Sequence, residues 1–335
     1  MRNHVLPGTN YTGGYPMKKV ISLAIVLCMV VALCTVSAFA DSLTFTTGGE
    51  AGTYYAFGSV LSQFVTSADK GVDITAVSSG GSQANIEDLD ADFAQLGFSQ
   101  SDVMSYAYAG TRTFEEIGAI DSIQTVAALY MEQVQIVTMD ESIKTVADLK
   151  GKTVSIGALG SGVYFNAVDV LGVYGLDPEK DINPVYQGFG DSAESLKDHK
   201  IDAAFVVAGA PTTAITDLST SGQVYLVSIE DEKADELIEL SPYYSKYTIS
   251  ADTYGLPEDA NTVAIAAVVL ANKDVSEDDV YTFVSTIFEN IDAVTEQHAK
   301  GAELSLEFAS SVTDVPYHAG AVKYFAEKGI EVPAA

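Results

Sequence analysis

Sliding the chain along itself by 110 residues lays one glycine-rich turn over another. Gly52, Tyr54, Tyr55 and Leu61 of "TTGGEAGTYYAFGSVL" fall on Gly162, Tyr164, Phe165 and Leu171 of "SIGALGSGVYFNAVDVL". The same offset puts Ser82 on Ser192, Ile86 on Leu196, Asp92 on Asp202 and Ala94 on Ala204, with no gap between the two sets. Two segments that agree on one offset describe a duplicated unit. The fold must therefore accommodate the same arrangement twice.

Each copy reads as strand, glycine loop, helix, strand, helix, short strand and polar loop. In the first, strands are expected over 43–47, 72–77 and 93–98, the glycine loop over 48–52, and helices from Tyr54 and Ser82. In the second, strands are expected over 153–156, near Val185 and over 203–207, the loop over 157–162, and helices from Val163 and Asp191. Alternating strands and helices give parallel α/β sheets, and two copies give two lobes. Between the copies lie two short β-rich runs, "TVAALYM" and "VQIVTM"; after the second come an acidic helix over 231–240 and the β-rich "NTVAIAAVVLAN". The last third is helical, with Ser276 as the N-cap of "SEDDVYTFVSTIFENIDAV" and acids in its first turn, where they complement the helix dipole. The chain is expected to cross near Leu129 and return near Lys246, making lobe 1 from 41–128 plus 246–335 and lobe 2 from 129–245.

Lys18 and Lys19 precede the apolar "VISLAIVLCMVVALCTVSAFA", which closes on Ala38, Phe39 and Ala40. A basic start, an apolar middle and a small-x-small exit predict a signal peptide over 1–40, cut before Asp41. A membrane-spanning anchor is the alternative, because the run is nearly long enough to span a bilayer. Met17 is a candidate initiator, with 1–16 as upstream sequence. Cleavage removes both cysteines, Cys28 and Cys34, and with them any disulfide, thiolate metal site or cysteine nucleophile. It also removes three of the 17 basic residues and none of the 46 acids. So acidic a surface is unsuited to nucleic acid or an anionic bilayer.

Five loops follow an expected strand and precede an expected helix: 48–53, 78–85, 99–102, 157–162 and 208–211. In open α/β sheets that is where ligands bind, and glycine there lets backbone approach a ligand while Ser, Thr, Asn and Gln add neutral donors. The same glycines also serve purely structural turns. Arginine occurs only at Arg2 and Arg112, which leaves one candidate for a guanidinium clamp after cleavage. A small anion would be held mainly by hydroxyls, side-chain amides and helix-end N–H groups; about four such bonds, at roughly 1.5 to 3 kcal/mol each, suffice for micromolar affinity before ordering costs. Ser82 reads as an N-cap, Asp102 as a cap or a partner for a ligand amine, and one of Tyr54 and Tyr55 as core with the other in the cleft. The first loop lacks the Gly-Lys-Ser/Thr ending of a phosphate-binding loop, and "GSGVYF" breaks the dinucleotide pattern at its third glycine. His199, in a solvated turn, His298 and His318 have no metal-site spacing, and no serine stands in a nucleophile elbow. No catalytic residue, metal or cofactor is expected.

The chain closely resembles the TAXI-type solute receptors of tripartite ATP-independent periplasmic (TRAP) transporters. The likeness runs in order through "TTGGEAGTYYAFGSVL", "SSGGSQANIEDL", "FSQSDVMSYAYAGTRTF", "IKTVADLKGKTVSIGALGSGVYFNAVDVL", "GLPEDANTVAIAAVVLAN" and "VPYHAGAVKYFAEKG". It implies a type II periplasmic-binding-protein fold, two mixed sheets flanked by helices and joined by a hinge. It also implies a monomeric periplasmic receptor that delivers a glutamate-like or dicarboxylate-like solute to an ion-gradient-driven TRAP permease. Carried over position by position, binding falls to Thr53, Tyr54, Ser82, Asn85, Gln100 and Ser101, then Ser161, Gly162 and Tyr164, with Gly209 and Pro211 shaping the far wall. Glu50 departs from the pattern, as does Ala319 in place of a proline; an inward Glu50 would favour a solute with an ammonium group. An enzyme or a ligand sensor on the same scaffold is the alternative.

Overall fold

The computed structural model describes residues 41–335 together with residues 1, 2 and 8; the leader read over 1–40 lies outside the described residues. The two copies build the two ends of one sheet. In the first, β1 (Asp41–Thr46) pairs in parallel with β2 (Val72–Val77) and β3 (Leu96–Gln100). In the second, β5 (Thr153–Ser155) pairs in parallel with β6 (Asn183–Val185) and β7 (Ala203–Ala208). The local orders β2-β1-β3 and β6-β5-β7 are the same, so the sequence repeat is also a repeat of topology.

Two long antiparallel strands join the ends. The run read as two short strands is a single strand, β4 (Ile123–Thr138), 16 residues long and buried almost throughout. It lies beside β10 (Ala260–Asn272), and the sheet runs β2-β1-β3-β10-β4-β7-β5-β6, with β8 (Tyr225–Leu226) on β4 and β9 (Ser245–Ile249) on β10. The two expected sheets thus share one ladder. Glu132 and Gln133 interrupt the apolar pattern of β4 but not its pairing, since Gln133 opposes Ala264 and Glu132 opposes Ile265. Register shifts at Ala267/Val268 and Val269/Leu270 mark irregularities in the pair, the kind of feature that bends a strand.

Helices follow the strands at both ends: α1 (Thr53–Ser67), α2 (Ser82–Asp90) and α3 (Ser101–Ala109) in the first copy, then α4 (Val163–Val173), α5 (Phe189–Lys197) and α6 (Thr213–Ser221) in the second. Apolar side chains collect accordingly. Phe45, Phe57, Phe98, Tyr130 and Phe283 belong to one core, and Ile136, Val154, Val170, Phe205 and Ile265 to another. Strand β3 starts later than expected because Phe93 is 76% exposed and precedes it in a turn.

Beyond α7 (Asp231–Leu240), the Ser276 hydroxyl caps α8 (Glu277–Phe288) by accepting from Asp279 N at 3.0 Å. His318 caps the C-terminal helix Ala319–Glu327 through Nδ1, which accepts from Gly320 N at 3.2 Å. Ala319 is the first residue of that helix, the position where proline is most readily accommodated. The departure there is structurally neutral. Residues 41–335 lie within one compact unit, and among the described residues no helix is long and apolar enough to cross a membrane.

Candidate ligand site

The carboxyl ends of both strand sets face a common cavity of about 100 Å³. Its wall includes Gly48, Gly49, Gly52, Thr53 and Tyr54 after β1, Ser79 to Ser82 after β2, and Gln100 at the end of β3. From the second copy come Ala158 and Ser161 to Val163 after β5, Gly188 and Phe189 after β6, and Val207 and Ala208 on β7. Glu132 contributes from β4.

Four of the helices that begin here start on glycine: α1 on Gly52, α2 on Gly81, α4 on Gly162 and α5 on Gly188. None has a side-chain oxygen closing its first turn. Helix N-termini of this kind present N–H groups and a partial positive charge to a bound anion. Two first-turn amides are already used, because Ala84 N donates to the Gly160 carbonyl at 3.0 Å and Phe165 N to the Gly162 carbonyl at 3.1 Å.

Ser82 does not cap α2. Gly81 holds that position with φ at 108°, a conformation that disfavours any side chain, and Ser82 Oγ instead accepts from Gln100 N at 3.1 Å. Between the two tyrosines, Tyr54 faces the cavity, stacked on Phe98 at 4.6 Å, and Tyr55 is not on its wall. Thr53 lines the cavity while its hydroxyl donates across it to the Gly209 carbonyl at 2.8 Å. Gln100 and Ser161 are buried, and Gln100 Oε1 and Ser161 Oγ have no hydrogen-bond partner among the described residues.

Five of the expected residues stand off the wall. Asn85 is a brace: its amide donates to Thr47 O at 2.7 Å and Phe98 O at 2.8 Å and its Oδ1 accepts from Ser79 Oγ at 2.6 Å, tying together the ends of β1, β2 and β3. Ser101 is buried in the first turn of α3. Tyr164 turns toward Tyr186, Gly209 lends only its carbonyl to Thr53 and Thr212, and Pro211 is exposed after a cis peptide. Glu50 is exposed and off the wall. Arg112 is no clamp for a ligand in the cavity, because its guanidinium pairs with Asp169 of α4 at 2.9 and 3.3 Å.

Sequence reasoning missed the acid that does enter the cavity. Glu132 is 2% exposed, with Tyr54 Oη donating to one carboxyl oxygen at 3.3 Å and Tyr130 Oη to the other at 3.4 Å. Burial pushes it up to about 8, against the opposing pull of hydrogen bonds from Tyr54, Gln100 and Tyr130. The readable signal was the one charged residue in a 16-residue β-rich run, a position carboxylates rarely occupy without a partner. Gly188 and Phe189 were missed because β6 is three residues long and contains Pro184, too weak a signal to define the loop after it.

Behind the cavity the copies also touch. Asn166 of α4 donates to Asp102 Oδ2 at 3.1 Å and to Tyr244 Oη at 2.9 Å, and Tyr244 Oη donates to Asp169 Oδ2 at 3.2 Å. Asp102 also accepts from Val103 N at 2.7 Å in the first turn of α3, and is not on the cavity wall. Burial raises it to about 7, with the Val103 amide opposing. Among the described residues no group of three or more His, Cys, Asp or Glu side chains is placed to hold a metal ion.

The arrangement can enclose a small solute, offering it amides, hydroxyls and one carboxyl. Comparison with known proteins agrees in fold. The NMT1-like family model matches residues 45–329. MatC from Rhodopseudomonas palustris, solved with bound malate, is similar at 15% identity and a TM-score of 0.55, covering 78% of this chain and 88% of MatC. The ligand-binding component of an ABC-type import system from Staphylococcus aureus, solved with zinc bound, has 10% identity and a TM-score of 0.50, covering 88% of this chain and 94% of that one. The fold is that of type II periplasmic binding proteins.

Proposed function

The chain belongs to the NMT1-like family, and from that premise we propose that it is an extracytoplasmic receptor that encloses a small solute and presents it to a membrane permease. The observation that carries this reading is the cavity where two copies of one unit meet, with glycine-started helices on both sides and two buried side-chain oxygens, Gln100 Oε1 and Ser161 Oγ, without hydrogen-bond partners among the described residues. In this reading 41–128 plus 246–335 and 129–245 are lobes that open and close about β4 and β10. Thr53, Tyr54, Ser82, Gln100, Ser161 and Gly162 contact the solute; Asn85, Ser101, Tyr164, Gly209 and Pro211 support the walls. The solute is a small organic anion or amino acid, and the protein turns nothing over.

The permease is of the ion-gradient-driven TRAP type in the reading the sequence resemblance implies. An ATP-driven permease is the second reading, favoured by the Staphylococcus aureus relative from an ABC-type import system. Reconstitution with candidate permeases separates them: uptake that follows an imposed ion gradient without ATP supports the first, and uptake that requires ATP hydrolysis supports the second. The receptor role is tested by native mass spectrometry of solute released on denaturation, together with a thermal-shift panel of amino acids and organic acids. A ligand at a hundred times its dissociation constant adds about 2.7 kcal/mol of stability. Silence across the panel with no released solute, or turnover of a panel member, refutes the proposal.

A further inference from the structure

We propose that Glu132 is the residue that recognises an ammonium group, so that the solute carries an amine together with its anionic group; the inference rests on the receptor reading above. The cavity is polarised. Helix N-termini at Gly52, Gly81, Gly162 and Gly188 supply partial positive charge, while Glu132 and the unpartnered Gln100 Oε1 supply acceptors. Among the described residues, no lysine, arginine or histidine lies on the wall. Arg112 is held by Asp169, and Lys300, whose ammonium sits 5.4 Å from the Tyr130 ring centroid, is held by Glu303.

An anion seated on the helix ends without an amine would share the cavity with Glu132 and bring no cation to it. An ammonium resolves this, because its three N–H donors match a carboxylate, an amide oxygen and a serine hydroxyl. Those acceptors are present as Glu132, Gln100 Oε1 and Ser161 Oγ, and the last two have no hydrogen-bond partner among the described residues. The tyrosine hydroxyls leave room as well, since their bonds to Glu132 are long, at 3.3 and 3.4 Å. The groups that face Glu132 are Tyr54 on α1, Tyr130 on β4, Gln100 on β3 and, through space, Asp102 on α3. None of them is a cation.

The test uses matched pairs on ligand-stripped protein: each α-amino acid with the carboxylate left when its amine is replaced by hydrogen, such as L-glutamate with glutarate. Calorimetric titration is expected to find an amino acid that binds roughly 10- to 100-fold more tightly than its nitrogen-free partner, the factor for losing one or two charge-assisted hydrogen bonds. Glu132→Gln, nearly isosteric and checked for folding by circular dichroism, is expected to abolish most of that factor. A nitrogen-free partner bound as tightly by the natural protein overturns the inference without any variant. So does a preference left intact by Glu132→Gln. Release of a nitrogen-free solute by the freshly purified protein overturns it while sparing the receptor reading. Binding of neither class, with no released solute, overturns both.

Discussion

Gly162→Ala should weaken solute binding without weakening the fold. Gly162 sits at the start of α4 with φ −68° and ψ −22°, a right-handed conformation that alanine adopts freely. Substitution therefore adds about 0.4 to 1 kcal/mol of stability by restricting the unfolded chain. Its new methyl group, however, meets the opposite wall: it overlaps Gln100 Oε1, and lies 2.6 Å from Gln100 Cδ and 2.9 Å from Ser82 Oγ. Gln100 and Ser82 come from the first copy and Gly162 from the second, so under the proposed opening of the lobes the clash exists only while the two walls are together. Overpacking of this kind costs about 1 to 3 kcal/mol, which corresponds to roughly 5- to 150-fold in affinity. Titration calorimetry with the solute identified by native mass spectrometry measures the loss, and a ligand-free melt measures stability. The expected pair of results is weakened binding with an unchanged or slightly raised melting temperature. Unchanged affinity refutes the reasoning, and so does a fall in melting temperature of several degrees, which would mean that the walls never separate.

Four other outcomes follow from geometry already described. Because burial raises Glu132 to about 8 and Asp102 to about 7, the folded ligand-free protein holds protons that the unfolded chain releases above its ordinary carboxylate range. The stability these two acids contribute is complete below about pH 4 and is lost as pH rises through 7 and 8, a loss on the order of a few kcal/mol for each acid; melts across that range should flatten in Glu132→Gln, and an identical slope in the variant refutes the assignment. Arg112→Ala leaves Asp169, 4% exposed, without its cation, and with Arg112 itself 32% exposed the cost is about 1 to 3 kcal/mol, read by denaturant titration. Asn85→Ala removes three hydrogen bonds among the strand ends and should lower stability by about 2 to 4 kcal/mol, whereas Glu50→Gln should leave stability within about 0.5 kcal/mol and solute affinity unchanged.

How far the sequence can be read depends on whether a signal is local. Glycine loops, the start of α2 at Ser82, the span of β2 and the Ser276 cap are set by nearby residues, and the structure places them where the sequence does. Residue roles within a loop are different. Ser82 and Asn85 lie three apart on one helix, yet one reaches the cavity and the other the strand ends, because facing is decided by what packs around the helix. Glu132 was hidden for a related reason. Its neighbours read as two strands with a polar break, and only pairing with β10 shows that the break is continuous strand with its carboxyl turned into the cavity. Arg112 likewise finds its partner 57 residues away, beyond any local pattern.

The glycine starts of α1, α2, α4 and α5 also bear on how such a protein can change. Groups offered by main chain are the same whatever codon specifies the residue, proline's excepted, so point substitution can remove or obstruct the part of the cavity that favours negative charge but cannot retune it. What remains open to variation is the small set of side chains around it, Glu132, Gln100, Ser82, Ser161 and Tyr54. Under the proposed receptor role, a lineage built on this frame would keep its hold on the anionic end of a solute while exchanging the rest of the molecule through a few codons.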